Sequence, residues 1–259
     1  MPNQLREKLR AGRTTYGLWV TQESPAITEV AADLGVDWIC VDTEHGHLGH
    51  KDVLEHVRAA HRSDTTVLVR VPAIGQDLIK RSLDMGAQGV LLPLARSAAD
   101  IETGVRYARY PPDGVRGIGG ERAVRWGLRY DEYLAEANEE ILVIPLIETA
   151  EADAAIEAIL DVPGIGAIFF GPADLSASHG YLGDWEGPGI AERILAIRDL
   201  AARRGIPAGI VSKGIDDARR RRDQGFAMVG LGSDVGLLIR QIRSLQEALG
   251  GAAVSHRWF

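Results

Sequence analysis

Short apolar runs rich in β-branched residues recur along the chain, and each is followed by a longer segment whose apolar positions fall at helical spacing. The short runs, at residues 16–20, 38–42, 66–71, 89–93, 142–147, 167–170, 208–211 and 228–231, predict eight strands. Most are apolar almost throughout, as strands covered on both faces are. The intervening segments predict helices at 24–34, 51–61, 76–85, 98–108, 150–159, 189–204, 216–224 and 234–249. Gly35, Gly86, Gly205 and Gly225 each follow a predicted helix, where a left-handed cap is wanted. Strict alternation of strand and helix predicts a parallel sheet. Eight units with short links favour a closed (β/α)8 TIM barrel over an open sheet, and no GxGxxG follows a strand to support a dinucleotide fold. The length of 259 residues matches one such barrel and no boundary interrupts it, so residues 1–259 are expected to form a single α/β domain.

Two stretches break the rhythm. Residues 110–120, rich in Pro and Gly, lead into 121–126, and residues 176–189 form a second Gly-rich excursion. Both are expected on the carboxyl-end rim, where barrel enzymes carry lids and substrate contacts. Residues 138–140 are expected to restart the strand pattern. Trp258-Phe259, at the very end of a loosely patterned tail, is expected to pack against another subunit.

Several strands end abruptly in polar chemistry. Val36-Asp37-Trp38-Ile39-Cys40 runs into Asp42-Thr43-Glu44-His45, Val67-Leu68-Val69 into Arg70, Ile144-Pro145-Leu146-Ile147 into Glu148, and Ile168-Phe169-Phe170 into Gly171-Pro172-Ala173-Asp174. Desolvating ionisable groups costs several kcal/mol unless they are paired or bind something. In a parallel barrel all carboxyl ends open on one face, so Trp19, His45, Arg70, Glu148 and Asp174 are expected to converge there. Glu148 and Asp174 offer two hard oxygen ligands from adjacent strands; with a bidentate substrate and waters they suit Mg²⁺ or Mn²⁺. Arg70 is placed to stabilise a developing oxyanion, with an ion pair to Asp42 or Glu44 as its structural alternative. His45 is a candidate general base, whereas His47 and His50 match no regular ligand spacing. The backbone at Ala173 and Asp174, in the small-residue segment starting at Gly171 and Pro172, is a candidate cradle for a substrate carboxylate.

Composition excludes several classes. A net charge of −7 argues against nucleic acid as a partner, and Arg219-Arg220-Arg221-Arg222, flanked by Asp216, Asp217 and Asp223, is expected to be a solvated helix face. The single cysteine, Cys40, excludes an intrachain disulfide, fits a reducing cytoplasm and sits in an apolar strand as a core side chain. The polar residues 1–13 are no signal peptide, and no apolar run approaches the ~18 residues of a membrane helix.

Asp42-Thr43-Glu44-His45, Arg70-Val71-Pro72, Leu83-Asp84-Met85-Gly86-Ala87-Gln88-Gly89-Val90, Arg116-Gly117-Ile118-Gly119, Ile147-Glu148-Thr149 and Gly171-Pro172-Ala173-Asp174-Leu175-Ser176 together resemble the HpcH/HpaI aldolases. Their order and spacing, from about Gly17 to Leu238, carry the likeness. It implies a class II pyruvate aldolase, dependent on a divalent metal (Mg²⁺, Mn²⁺ or Co²⁺), that joins pyruvate to an aldehyde. It also implies metal binding by Glu148 and Asp174, enolate stabilisation by Arg70, proton transfer by His45 with Asp42 beside it, and a homo-oligomer, trimeric or hexameric, with the last helix packed on or exchanged with a neighbouring subunit. Asp84 resembles a residue offered to an adjacent subunit's site. Leu146 stands where the family often has glutamine. Trp19, Val211 and the 116–126 loop are expected around the aldehyde chain.

Three other readings remain open at this stage. A Schiff-base aldolase needs a desolvated strand-end lysine, for which Lys213 is the candidate. An acyl-CoA lyase on the same barrel needs a basic nucleotide groove. A non-catalytic ligand-binding barrel binds without turnover.

Overall fold

The computed structural model describes residues 2–251; the Trp258-Phe259 pair lies outside the described residues. Strands β1 (Thr15–Val20), β2 (Trp38–Asp42), β3 (Thr66–Arg70), β4 (Gly89–Leu92), β5 (Leu142–Ile147), β6 (Ile168–Phe170), β7 (Ala208–Val211) and β8 (Met228–Ser233) pair in parallel in chain order. β8 closes on β1, completing the barrel.

Helix α1 (Gln4–Arg10) precedes β1. Helices α2 (Pro25–Asp33), α3 (His50–Ala59), α4 (Gln76–Asp84) and α5 (Ala98–Ala108) follow the first four strands, and α6 (Tyr130–Glu140) is an extra helix before β5. The predicted helix at 150–159 is two short ones, α7 (Ala150–Ala154) and α8 (Ile156–Leu160), hinged at Ala155. After β6 come α9 (Pro172–Ser178) and α10 (Ile190–Arg203), after β7 comes α11 (Ile215–Asp223), and after β8 comes α12 (Asp234–Ala248).

Three expectations are corrected. Residues 138–140 form the last turn of α6, and the strand starts only at Leu142. The 110–120 loop follows α5, whose carboxyl end lies at the amino ends of the strands, so within one chain it joins the floor and not the lid side. There Val115 N donates to Arg106 O and Arg116 N to Arg109 O, tying the loop to the end of α5. In the arginine tract, Arg221 is fully buried and pairs with Glu186 at 2.8 Å and Asp217 at 3.0 Å, while its neighbours in the tract are exposed.

Side chains alternate along each strand, so each strand feeds two cores. One set packs between barrel and helices, and the other fills the barrel interior with Trp19, Trp38, Cys40, Leu68, Ile144, Leu146 and Phe169 among others. Leu5 and Leu9 of α1 belong to the interior set and plug the floor. Asn3 Nδ2 anchors that plug by donating to Gln88 O and Glu140 O, both at 2.9 Å.

The interior is filled by large rings set against glycines. Trp38 and Phe169 meet edge to face with centroids 5.9 Å apart. A Cβ at Gly17 would lie 2.0 Å from the Trp38 ring, and one at Gly209 2.3 Å from Phe169. Trp38 is fully buried and has nowhere to move. Gly17→Ala is therefore expected to lower stability by about 3 kcal/mol through overpacking, read as a lower denaturant midpoint at unchanged slope.

Candidate active site

Period-two alternation sets the chemistry. On β2 the inward residues are Trp38 and Cys40, and the next is Asp42; on β3 Leu68 leads to Arg70; on β5 Ile144 and Leu146 lead to Glu148. Register then pairs Asp42 with Arg70 across β2 and β3. Arg70 Nε donates to Asp42 Oδ1 at 2.9 Å, its Nη2 to Asp42 Oδ2, and its Nη1 pairs with Glu44 Oε2 at 2.9 Å. The guanidinium also stacks 5.3 Å from the Trp19 ring. The ion pair weighed as Arg70's structural role is thus present, with both carboxylates at once.

The turn after β2 is built by its own polar groups. Thr43 donates through its amide (3.0 Å) and its hydroxyl (2.6 Å) to Arg70 O, and Asp42 Oδ1 accepts from Glu44 N (3.0 Å) and His45 N (3.3 Å). This Asx turn folds Glu44 back on Arg70 and leaves His45 exposed at the mouth. His47 faces Glu23 at 3.8 Å and His50 opens α3, so of the three histidines only His45 lines the cavity.

Glu148 is 3% exposed, and its Oε1 accepts from Leu94 N at 2.7 Å. Leu94 holds a φ of 51°, a conformation costly for a side chain bearing a Cβ, where it aims that amide. Asp174 lies in the first turn of α9, after Gly171 as N-cap and Pro172. A Cβ at Gly171 would sit 2.7 Å from Glu148 Oε2 and 3.7 Å from Asp174 Oδ2. Glycine there keeps open the space that both carboxylates face.

Trp19, His45, Arg70, Glu148, Gly171, Pro172, Ala173, Asp174 and Val211 line one cavity of about 80 Å³ at the carboxyl-end mouth. The sequence reading placed all of these at the site. Asp42 sits directly behind Arg70. Asp84 does not join them within the chain: it ends α4 at the opposite end of the barrel and pairs with Arg116 at 2.8 Å. Arg116 and the residues that follow it are at that end as well, which corrects their expected contact with Trp19 and Val211 in the same chain. A larger cavity of about 310 Å³ beside α6 and the residues before α1 lies at that amino end too and lacks the strand-end carboxylates.

Glu44, bonded to Arg70, and Phe169 and Trp185, which line the cavity with Leu146, are site groups beyond those expected from the sequence. Phase alone identifies Leu146 and Phe169, two residues before Glu148 and Gly171. Trp185 belongs to an irregular loop and carries no such signal. Lys213 is exposed at the rim, outside the desolvated interior that a Schiff-base lysine requires.

The electrostatics are unbalanced. Four carboxylates, Asp42, Glu44, Glu148 and Asp174, share the site with one guanidinium, which bonds Asp42 and Glu44. Burial pushes the Glu148 carboxyl up to about 7, against the pull of the Leu94 amide and with added repulsion from Glu44 and Asp174. Burial also raises Glu44, although Arg70 pulls the other way. Burial would lower Arg70, but the bond and charge of Asp42, with Glu44, outweigh it and hold the guanidinium charged. Among the described residues no three His, Cys, Asp or Glu side chains gather as a complete metal cage. Two hard carboxylates in a negative pocket do fit a divalent cation whose remaining ligands come from outside the protein.

Residues 15–241 match the model of the family described as HpcH/HpaI aldolase/citrate lyase. The chain is 37% identical over 255 residues to a 4-hydroxy-2-oxovalerate aldolase from Rhodococcus jostii, covering 98% of each chain. It is 38% identical over 256 residues to a hydroxypyruvate/pyruvate aldolase from Pseudomonas aeruginosa, covering 97% of this chain and 94% of that one. A crystal structure of a family protein from Burkholderia cenocepacia superposes with a TM-score of 0.91 at 35% identity, covering 96% of this chain and all of that one.

Proposed function

Because the chain belongs to the HpcH/HpaI aldolase/citrate lyase family, we infer that it is a class II pyruvate aldolase, a lyase that reversibly splits 4-hydroxy-2-oxo acids into pyruvate and an aldehyde. The observation that carries the reading is the Glu148–Asp174 pair facing one glycine-kept space beside a charged Arg70.

In this reading Glu148 and Asp174 hold a divalent cation, Mg²⁺, Mn²⁺ or Co²⁺. The bound cation supplies Lewis acidity that makes the pyruvate methyl protons removable near neutral pH. The protein does the rest. Arg70 spends three of its five N–H groups on Asp42 and Glu44 and keeps donors for the oxygen that gains charge as the enolate forms. His45, exposed to the cavity, exchanges the proton between the methyl carbon and the aldehyde-derived hydroxyl. The first-turn amides of α9 at Ala173 and Asp174 face the substrate carboxylate. Trp19, Leu146 and Val211 supply the apolar wall that excludes water.

Copies of the chain assemble in the same reading. Leu237, Leu238, Ile242 and Leu245 are exposed on α12 and would be covered in an oligomer, and Asp84, held by Arg116 at the amino end of the barrel, would face a neighbouring subunit's site. Among the described residues no helix is long and apolar enough to cross a membrane.

The test is pyruvate release from 4-hydroxy-2-oxo acids. Chelation is expected to cut turnover at least about a hundredfold, with recovery on adding Mn²⁺, Mg²⁺ or Co²⁺, since the cation stabilises the developing charge. Borohydride with pyruvate should leave activity intact. Chelator-resistant turnover, or borohydride inactivation, would refute the metal-dependent mechanism.

A further inference from the structure

Lys213 is exposed two residues beyond the carboxyl end of β7. Val211, the last residue of β7, belongs to the barrel interior and lines the cavity. The ladder continues one residue further, because Ser212 N donates to Gly230 O at 2.8 Å. The chain then bends at Lys213, whose Cα lies within about 7 Å of that of Val211. A side-chain contact links it to the cavity: Lys213 Nζ lies 5.2 Å from the ring centroid of Trp185, which lines the same cavity.

Both partners are held in place. Lys213 N donates to Asp217 Oδ2 at 2.9 Å. The Trp185 loop is tied by Ser176, whose hydroxyl accepts from Gly187 N at 2.9 Å and donates to Trp185 O at 3.3 Å. Glu186 is anchored on the buried Arg221.

The charge of this lysine is uncompensated among the described residues. Arg70 is neutralised by Asp42 and Glu44, and Arg220 and Arg221 by Asp217 and Glu186. Lys213 makes no ion pair among the described residues; its charge meets an aromatic face, a partner that leaves its N–H donors available to an anion.

We propose that Lys213 determines acceptor specificity by binding the terminal carboxylate of the aldehyde. This rests on the aldolase reading above. An aldehyde reacting beside Arg70 runs its chain along Val211, and a carboxylate a few bonds from the carbonyl arrives under the ammonium.

The experiment measures kcat/KM for condensation of pyruvate with 4-oxobutanoate and with butanal, which share a four-carbon chain and differ in the terminal group. The unsubstituted protein is expected to prefer the carboxylate by about tenfold, the lower end for a hydrogen bond to a charged group. Lys213→Met should erase that preference, mainly through KM, and Lys213→Arg should restore most of it. Added KCl should shrink it, since a rim charge is screened. The same carboxylate-to-methyl ratio in the unsubstituted protein and in Lys213→Met would overturn the proposal. If the unsubstituted protein turns over neither aldehyde, the aldolase reading fails and takes this inference with it.

Discussion

Glu148→Gln is expected to lower turnover at least about a thousandfold while making the metal-free protein more stable at alkaline pH. Both effects come from one carboxylate that the fold buries without a cationic partner of its own. Its carboxyl is pushed up to about 7 in the folded protein, first by burial and then by Glu44 and Asp174, against an ordinary value of 4.5. The unfolded chain therefore releases this proton earlier than the folded one. The stability tied to it is fully present below pH 4.5 and is lost as pH rises through 7, a change of about 3 kcal/mol. Glutamine fills the same space without a charge, so Glu148→Gln should gain about 2–3 kcal/mol over the unsubstituted protein at pH 8 and nothing at pH 4. A divalent cation reverses the sign for the unsubstituted protein: it needs the ionised carboxylate, so apparent cation affinity should fall below pH 7 as protons compete. Melting of chelator-treated protein at the two pH values, with turnover alongside, separates the outcomes. A variant that keeps turnover, or an alkaline stability gap that never appears, contradicts the role assigned to Glu148.

Most of the barrel is legible in the chain because its strands are apolar on both faces and its helices end at glycines. Three helices are hidden in the sequence, each for a local reason. Helix α1 is a seven-residue plug whose only apolar residues are Leu5 and Leu9, too few to display a helical period. Helix α6 is polar at most positions and buries Ala137 alone, so its pattern is that of a solvated segment, and the apolar period resumes only with β5. Helix α9 begins with Gly171-Pro172, which in isolation marks a turn.

The site was legible to the extent that it follows strand phase. Asp42, Arg70 and Glu148 continue the inward row of their strands, and Asp174 follows β6 by a few residues. What phase cannot carry is the tertiary electrostatics. Nothing in Asp42-Thr43-Glu44-His45 states that the turn bonds to Asp42 Oδ1 and swings Glu44 onto Arg70 while His45 stays at the mouth. Nor does the arginine tract reveal which member is buried, because that depends on Glu186, an acid 35 positions before Arg221, in a loop of no fixed period.

Arg70→Ala should lower kcat by about a hundred- to a thousandfold and also destabilise the fold by about 3–5 kcal/mol, two effects with different origins. Turnover falls because the donors aimed at the developing enolate oxygen are gone. Stability falls because Asp42, 2% exposed, and Glu44 are left as buried carboxylates without their cation. The second effect obscures the first in a single variant, so the decisive comparison is Arg70→Met combined with Asp42→Asn. Methionine keeps the packing against Trp19 and asparagine removes one stranded charge, which should recover roughly half of the lost stability. Turnover should not recover, because neither new side chain donates a hydrogen bond where the guanidinium did. If the double variant regained activity along with stability, Arg70 would be only a structural counter-ion to Asp42 and Glu44, and the oxyanion would need another donor at the cavity. If it regained stability alone, the guanidinium serves two roles at one position: it neutralises the carboxylates that β2 delivers, and it keeps donors pointed at the reacting oxygen.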